Sequence, residues 1–197
     1  NAIIIALACK NLPENKRKLG IFYGAMGAII LRVIMVFFAT SLLMISGLKI
    51  AGGILLLWIG AKLILDNNKE NIINVSQEKN LIGAIRTIII ADFVMSLDNS
   101  VAIAAAADGN MYLVLFGLLL SVPIIIWGSS FILKLIDKFP IIIYLGSALL
   151  GWIAGDMILT DIFISENFRG ISNHSILPIL GSLSVLTFCF LYKIIKK

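Results

Sequence analysis

The sequence predicts an all-α, polytopic membrane protein, and three observations support this. Of the 197 residues, 60% are hydrophobic and only 14% are charged, whereas soluble globular chains have about 45–50% apolar and about 25% charged residues. The mean hydropathy is +1.04, and the apolar residues fall into long runs bounded by polar ones. A soluble domain of this length could not bury so much apolar surface. A soluble enzyme, a nucleic-acid-binding protein and a disordered chain are therefore excluded.

Six apolar runs approach or exceed the length of about 20 residues that a membrane-spanning helix needs. They are residues 20–46, 47–65, 81–107, 111–133, 139–160 and 176–192. A further run, Ala2–Cys9, is too short to span a bilayer. It has no initiator Met and no charged start, so it does not resemble a signal peptide. We expect a first helix that is truncated in this chain, and seven helices in the intact protein.

The basic residues predict the orientation of these spans. With the loop at 10–18 placed inside, twelve of the 16 Lys and Arg residues lie on the cytoplasmic side. Only Lys49 and Arg169 lie outside, and Arg32 and Arg86 fall within spans. Cytoplasmic loops of membrane proteins carry such an excess of positive charge. The net charge of +5 therefore reports topology, with a cytoplasmic C-terminus, and gives no reason to expect a nucleic-acid partner.

Two pairs of segments are similar to each other. Asn1–Ala8 resembles Asn99–Ala106 at a separation of 98 residues, and 52–61 resembles 146–155 at a separation of 94. Each copy then holds three helices, and an odd number makes successive copies run in opposite directions. The sequence therefore predicts two inverted three-helix repeats plus a seventh helix. Chance similarity between Ala- and Ile-rich helices is the alternative.

This organisation divides the chain into five segments. In order they are a first repeat that lacks its start, a cytoplasmic linker, a second repeat, an extracytoplasmic loop, and a C-terminal helix with a basic cytoplasmic tail. Their bounds are 1–65, 66–80, 81–160, 161–175 and 176–197.

A stripe of small residues runs along the span at 139–160. Ser147, Gly151 and Gly155 recur at every fourth position. Apolar side chains gain little by meeting each other in lipid, so close backbone approach through small residues drives helix association. We expect this face to pack against another helix.

The span at 81–107 carries two carboxylates, Asp92 and Asp98. A charge at mid-membrane costs at least ~2.5–3.5 kcal/mol. At about 1.5 Å per residue, Asn1 and Asn99 each lie about 13–14 Å from a membrane edge, which is close to the midplane of a hydrocarbon core about 30 Å thick. Transporters built from inverted repeats bind their substrates at this depth.

The helical period separates the two carboxylates. Asp92, Ser96 and Asn99 share one face, but Asp98 points about 120° away from Asp92 in a regular helix. Either Asp98 has a different partner, or the helix unwinds near 96–100 so that the oxygens converge. A structural alternative is a buried ion pair between one of these carboxylates and a charge partner, Arg32 or Arg86.

The candidate ligands are hard oxygen donors. Such donors suit Mg²⁺, Ca²⁺ or Mn²⁺, whereas zinc and copper favour imidazole or thiolate. The only His, His174, is expected in the outer loop. Asp156 is a candidate exit ligand or an interfacial residue. The candidate metal ligands at the midplane are Asp98, Asn99, Asn1 and Asp92.

Three segments of the chain resemble the TerC family of integral membrane proteins. They are Ala91–Asn99 (ADFVMSLDN), Asn1–Pro13 (NAIIIALACKNLP) and Gly151–Ile158 (GWIAGDMI). The resemblance implies seven helices in two inverted repeats plus one, and an Asp immediately before Asn1. It also implies metal-ion homeostasis in a bacterial plasma membrane, chiefly Mn²⁺ efflux, with links to tellurium resistance. The family often has Glu where this chain has Asp156, which puts the reach of that carboxylate in question.

We therefore expect a Mn²⁺ exporter that works by alternating access and is not an enzyme. Asp98 and Asn99, with Asn1 and its implied Asp neighbour, would hold the ion. Asp92 would complete the coordination shell or carry a proton, and Asp156 would assist release. The expected partners are a divalent metal ion and the lipid bilayer, and a homo-oligomer is left open.

Two other functions stay open at this stage. One is a membrane assembly or scaffolding partner, in which the buried acids only fix helix register. The other is a Ca²⁺ or proton-coupled cation exchanger on the same architecture. An intramembrane protease is disfavoured, because no Ser/His pair shares a membrane depth.

Overall fold

The computed structural model describes residues 1–68, 81–108, 110–167 and 176–195. These residues form helices and no strands, which confirms the all-α prediction. A short helix, α7, lies within the segment predicted as a loop. The helices are α1 (Ala2–Cys9), α2 (Glu14–Leu43), α3 (Leu48–Asn68), α4 (Leu81–Ala106), α5 (Met111–Lys138), α6 (Ile141–Leu159), α7 (Ile162–Asn167) and α8 (Ile176–Ile195).

Local sequence explains where two of the long helices begin. Pro13 precedes α2, where its missing N–H costs nothing, and Glu14 places a negative charge in the first turn. Asn110 caps α5: its side-chain oxygen accepts hydrogen bonds from the backbone N–H groups of Tyr112 at 3.0 Å and Leu113 at 3.4 Å. The Glu14 charge compensates the free N–H groups at the start of α2, and the Asn110 side chain accepts hydrogen bonds from two of them at the start of α5.

Within the described residues, four helices contain stretches long and apolar enough to cross a membrane. The bent helix α4 adds a fifth if its parts Leu81–Leu97 and Asn99–Ala106 form one span. The apolar part of α8, Ile176–Tyr192, is shorter. Large apolar side chains are exposed along these helices, as on α5, where Trp127 is 76% exposed. Apolar surface of this extent is typical of contact with lipid. The four stretches are Glu14–Phe38, Leu48–Asp66, Met111–Lys138 and Ile141–Leu159.

The helices form two compact units. Unit 1 contains α1, α2, α4 and α5, and unit 2 contains α3, α6, α7 and α8. In unit 1, α2 packs against α4, and both α1 and α5 pack against this pair. Where α2, α4 and α5 meet, the core consists of Ile29, Val36, Ala107, Val114 and Leu118.

In unit 2, α6 packs against α3 and α8. Gly151 faces Gly181 of α8, and Gly155 faces Leu177, in both cases at backbone-to-backbone distance. The hydroxyl of Ser182 donates a hydrogen bond to the carbonyl of Ala148 at 2.8 Å. The stripe of small residues predicted from the sequence is therefore a helix interface.

Asp161 joins the start of α3 to the end of α6 within unit 2. Asp161 is 1% exposed. Its carboxylate accepts hydrogen bonds from the backbone N–H groups of Gly47 (2.9 Å), Phe163 (2.9 Å), Lys49 (3.1 Å) and Ile50 (3.4 Å). Burial raises the pKa of this carboxyl, but the four N–H groups more than offset it, so the pKa of Asp161 lies below its ordinary value of 3.8. A negative charge at the N-terminus of α3 also complements the helix dipole.

Asp161→Asn is expected to destabilise the protein by about 2–3 kcal/mol at pH 7, because buried N–H groups lose a charged acceptor. The folded-state pKa is depressed, so this contribution is present above the unfolded pKa and is lost as the pH falls through the folded value. The difference in the free energy of unfolding between the wild type and Asp161→Asn should stay constant from pH 7 to about pH 5 and become smaller in stronger acid. Thermal unfolding in detergent at a series of pH values measures it. The control Asp156→Asn changes an exposed carboxylate and should shift stability little; equal effects of the two variants would contradict the assignment.

Candidate functional site

Asp92 lies on the face of α4 that packs against α2. Its side chain is 5% exposed, and the neighbouring residues on α4, Ile88, Ala91 and Val94, are buried and apolar. A carboxylate in such surroundings must be paired or hydrogen-bonded, because an isolated buried charge is very costly. Its partners therefore define what the site can do.

The partner of Asp92 is Arg32 of α2. The Nη2 of Arg32 donates to one carboxylate oxygen of Asp92, and its Nε donates to the hydroxyl of Ser96 at 3.2 Å. The Ser96 hydroxyl donates to the other Asp92 oxygen at 3.2 Å. We call Arg32, Asp92 and Ser96 the buried triad. With one positive and one negative charge it is neutral overall, and each member is bonded to the other two.

Asn1 and Asp92 line the same narrow pocket, together with Ile4, Ile5 and Ile88. The pocket has no room for a water molecule, so a cation could enter only if these side chains moved. The structure thus brings together two of the residues that the sequence proposed as ligands, one from α1 and one from α4.

The other two proposed ligands lie at a bend in α4. The arms Leu81–Leu97 and Asn99–Ala106 meet at 60°, within the stretch where the sequence reading allowed the helix to unwind. Asn99 is exposed. The side chain of Asp98 lies outside the described part of the structure, so its position as a ligand stays a prediction.

Ser100 is a polar residue at this bend that the sequence reading did not single out. Its hydroxyl is buried and has no hydrogen-bond partner within the described residues. By contrast, the hydroxyls of Ser129 and Ser130 in α5 donate to backbone carbonyls four residues earlier, at 2.7 and 2.9 Å. A buried, unpaired polar atom calls for an explanation. The sequence signal that could have identified it is the pattern Asp-Asn-Ser within a span.

Arg86 and Asp156 are not members of the buried triad. Arg86 is exposed on the first arm of α4, so the charge partner of Asp92 is Arg32. Asp156 is exposed on α6 of unit 2. Among the side chains that the structure describes, no three His, Cys, Asp or Glu residues cluster as a metal site. His174 lies outside the described residues.

A sequence profile described as "Integral membrane protein TerC family" matches residues 1–197, the whole chain. The chain belongs to the TerC family. This confirms the resemblance seen in the three motifs. It is thus an integral, multi-pass membrane protein of a family associated broadly with ion and metal transport.

Three relatives come from Bacillus subtilis (strain 168). The membrane protein YjbE is 38% identical over an alignment of 201 residues that covers all of this chain and 90% of YjbE. YkoY is 27% identical and YceF 26% identical, over 85% and 78% of this chain. The matched regions span 59% of YkoY and 63% of YceF. No solved structure matches this chain significantly.

Proposed function

We propose that this member of the TerC family exports divalent metal ions, Mn²⁺ above all, through an oxygen-ligand site near the bilayer midplane. The observation that carries the proposal is the Asp92 carboxylate, which is buried in an apolar helix six residues before the bend at Asp98 and shares a pocket with Asn1. Ionisable residues in such positions are expensive and typically serve ion or proton pathways.

In this proposal the bend supplies most of the ligands. Asp98 and Asn99 hold the ion together with Asn1, and Asp92 completes the coordination shell or carries a proton. A broken or bent membrane helix also frees backbone carbonyls as ligands, and the unpaired hydroxyl of Ser100 adds a further oxygen. Asp156 in unit 2 assists release.

The donor chemistry favours a hard cation over zinc or copper. Manganese as the cargo, and export as the direction, rest on the resemblance to the TerC family. The lysine bias supports a cytoplasmic C-terminus in a bacterial plasma membrane. We infer a transporter with two inverted repeats and not an enzyme, and a homo-oligomer is compatible with the proposal.

Asp98→Asn is expected to lower Mn²⁺ efflux by at least about tenfold, because the ion loses a charged ligand. The measurement is Mn²⁺ flux in proteoliposomes that contain the full chain and a Mn²⁺-quenched dye. The matched control is Asp137→Asn, which removes an exposed carboxylate paired with Arg17 at 3.3 Å and should leave flux unchanged. Wild-type flux in Asp98→Asn would refute the ligand assignment. Competition by Ca²⁺ or Mg²⁺ in the same assay identifies the preferred cargo and separates export of Mn²⁺ from a Ca²⁺ or proton-coupled exchanger.

A second candidate function is a membrane assembly or scaffolding partner. The hydrogen bonding within the buried triad favours it, because each member is bonded to the other two. Such networks can fix helix register without binding an ion. This function predicts that substitutions in the triad disturb capture of partner proteins and leave cellular manganese unchanged. Measuring both quantities on the same variants decides between the two.

A further inference from the structure

A cleft of about 500 Å³ lies in unit 1 between α2, α4 and α5. Ala107 and Leu113 line it beside the turn that joins α4 to α5, and Ser121 lines it further along α5. From Leu113 to Ser121 the helix advances about 12 Å, at about 1.5 Å per residue. Arg32 of the buried triad is also part of the lining. The cleft therefore extends from a helix turn to the residue that neutralises Asp92.

The cleft is open to the molecular surface at Gly117, an exposed position on α5. A Cβ atom built on Gly117, which lines the cleft, would meet nothing within 4 Å. Ser121 is the other polar side chain of the lining, and its hydroxyl donates to the Leu118 carbonyl at 2.6 Å. Within the described lining, Arg32 is thus the charged residue, and it is itself 8% exposed.

We propose that this cleft is the water-filled route between the α4–α5 turn and Asp92, and that the Arg32 guanidinium closes its inner end by competing with the transported cation for the Asp92 carboxylate. The proposal rests on the cation-transport function proposed above. Arg32 is a cation tethered to the protein, and it must leave Asp92 before a metal ion can bind there. After exchange the guanidinium faces the cleft, where water solvates it.

Exchange of one cation for another explains why a transporter would keep this ion pair. A bare carboxylate in the membrane interior is costly, and so is a buried pair that has lost one partner. If Arg32 returns as the metal ion leaves, Asp92 is compensated in both states. The lysine bias places the α4–α5 turn outside, so the route leads to the side where an exported ion is released.

The water route is tested by cysteine labelling. In a background in which the buried Cys9 and Cys189 are replaced by Ala, Gly117→Cys should react with a charged, membrane-impermeant thiol reagent. The control is Leu120→Cys, on the same helix and 59% exposed on the apolar surface. We expect Gly117→Cys to react at least about tenfold faster, because only a hydrated thiol forms the reactive thiolate. If Gly117→Cys and Leu120→Cys react at equal rates, the proposal that the cleft is a water-filled route is wrong.

The competition is tested with Arg32→Gln and Arg32→Lys. Without its tethered cation, Asp92 in Arg32→Gln should bind Mn²⁺ at least about tenfold more tightly and release it more slowly, which lowers both KM and the maximal flux. Arg32→Lys keeps the positive charge, so its KM and its maximal flux should stay near those of the wild type. A merely structural role would weaken binding and flux together, so unchanged or weaker Mn²⁺ binding by Arg32→Gln would overturn the competition.

The two proposals fail in different ways. If Gly117→Cys is unreactive while Asp98→Asn still lowers Mn²⁺ efflux as predicted, the water route is wrong and export stands. If Gly117→Cys reacts but the wild-type protein moves no cation, export is wrong and the cleft stands as a water-filled space.

Discussion

Replacing Arg32 by Met is expected to lower the free energy of unfolding by about 3–5 kcal/mol, the cost of breaking a buried ion pair from one side. The substitution leaves the buried Asp92 carboxylate with the Ser96 hydroxyl but without its counter-charge. Asp92→Leu should cost a similar amount, because the guanidinium is then unpaired. Chemical unfolding in detergent, without divalent cations, measures both.

The double variant Arg32→Met with Asp92→Leu is expected to recover most of this loss, since two apolar side chains of similar size replace the pair and no charge stays buried. The control is the same set of two single variants and one double variant for the exposed ion pair, with Arg17→Met and Asp137→Leu. That pair, at 3.3 Å, has side chains 26% and 49% exposed, and an exposed pair contributes no more than about 1 kcal/mol. If Arg32→Met lowers the free energy of unfolding as little as Arg17→Met does, Arg32 and Asp92 do not form a buried ion pair.

Hydropathy predicts the helices well because lipid leaves the backbone few alternatives to a helix. The predicted spans 139–160 and 81–107 lie within two residues of α6 and α4 at both ends. The prediction is less accurate where a helix continues into water. α2 already begins at Glu14, and α5 continues to Lys138, because charged residues past the membrane edge end an apolar run without ending helical hydrogen bonding.

The grouping of helices into units did not follow from the sequence. Neighbours along the chain fall into different units: α2 belongs to unit 1 and α3 to unit 2. The role of Asp161 was missed for the same reason. A boundary Asp looks the same whether water or buried N–H groups surround it, and Gly47 lies 114 positions away along the chain. Such contacts leave no local pattern.

At the candidate site, the sequence identified the polar face of α4 but not its partner. Arg32 and Arg86 both lie in spans, and the choice between them depends on how α2 and α4 rotate about their axes. The structure places Asn1 beside Asp92 and a bend at Asp98. The inverted repeat, which first drew attention to Asn1 and Asn99, stays a prediction.

Replacing Gly181 by Val is expected to separate α6 from α8 and to cost more than the about 1–3 kcal/mol of ordinary overpacking. A Cβ atom on Gly181 would lie 3.0 Å from the carbonyl carbon of Gly151 and 3.2 Å from the amide nitrogen of Gly155, and closer still to the Gly151 oxygen. These atoms belong to the backbone of a helix and cannot rotate away as a side chain would. The helices must therefore move apart, and the contacts along their interface are lost together.

The matched control is Gly117→Val, which places the same side chain inside another long helix. Both variants change the helix propensity of one position in the same way, but a Cβ on Gly117 has no neighbour within 4 Å. The difference between the two variants in thermal unfolding in detergent therefore isolates the clash at the α6–α8 interface. Lipid offers these helices little hydrophobic reason to associate, so close contact must hold them. If both variants unfold at the same temperature, α6 and α8 do not meet backbone to backbone.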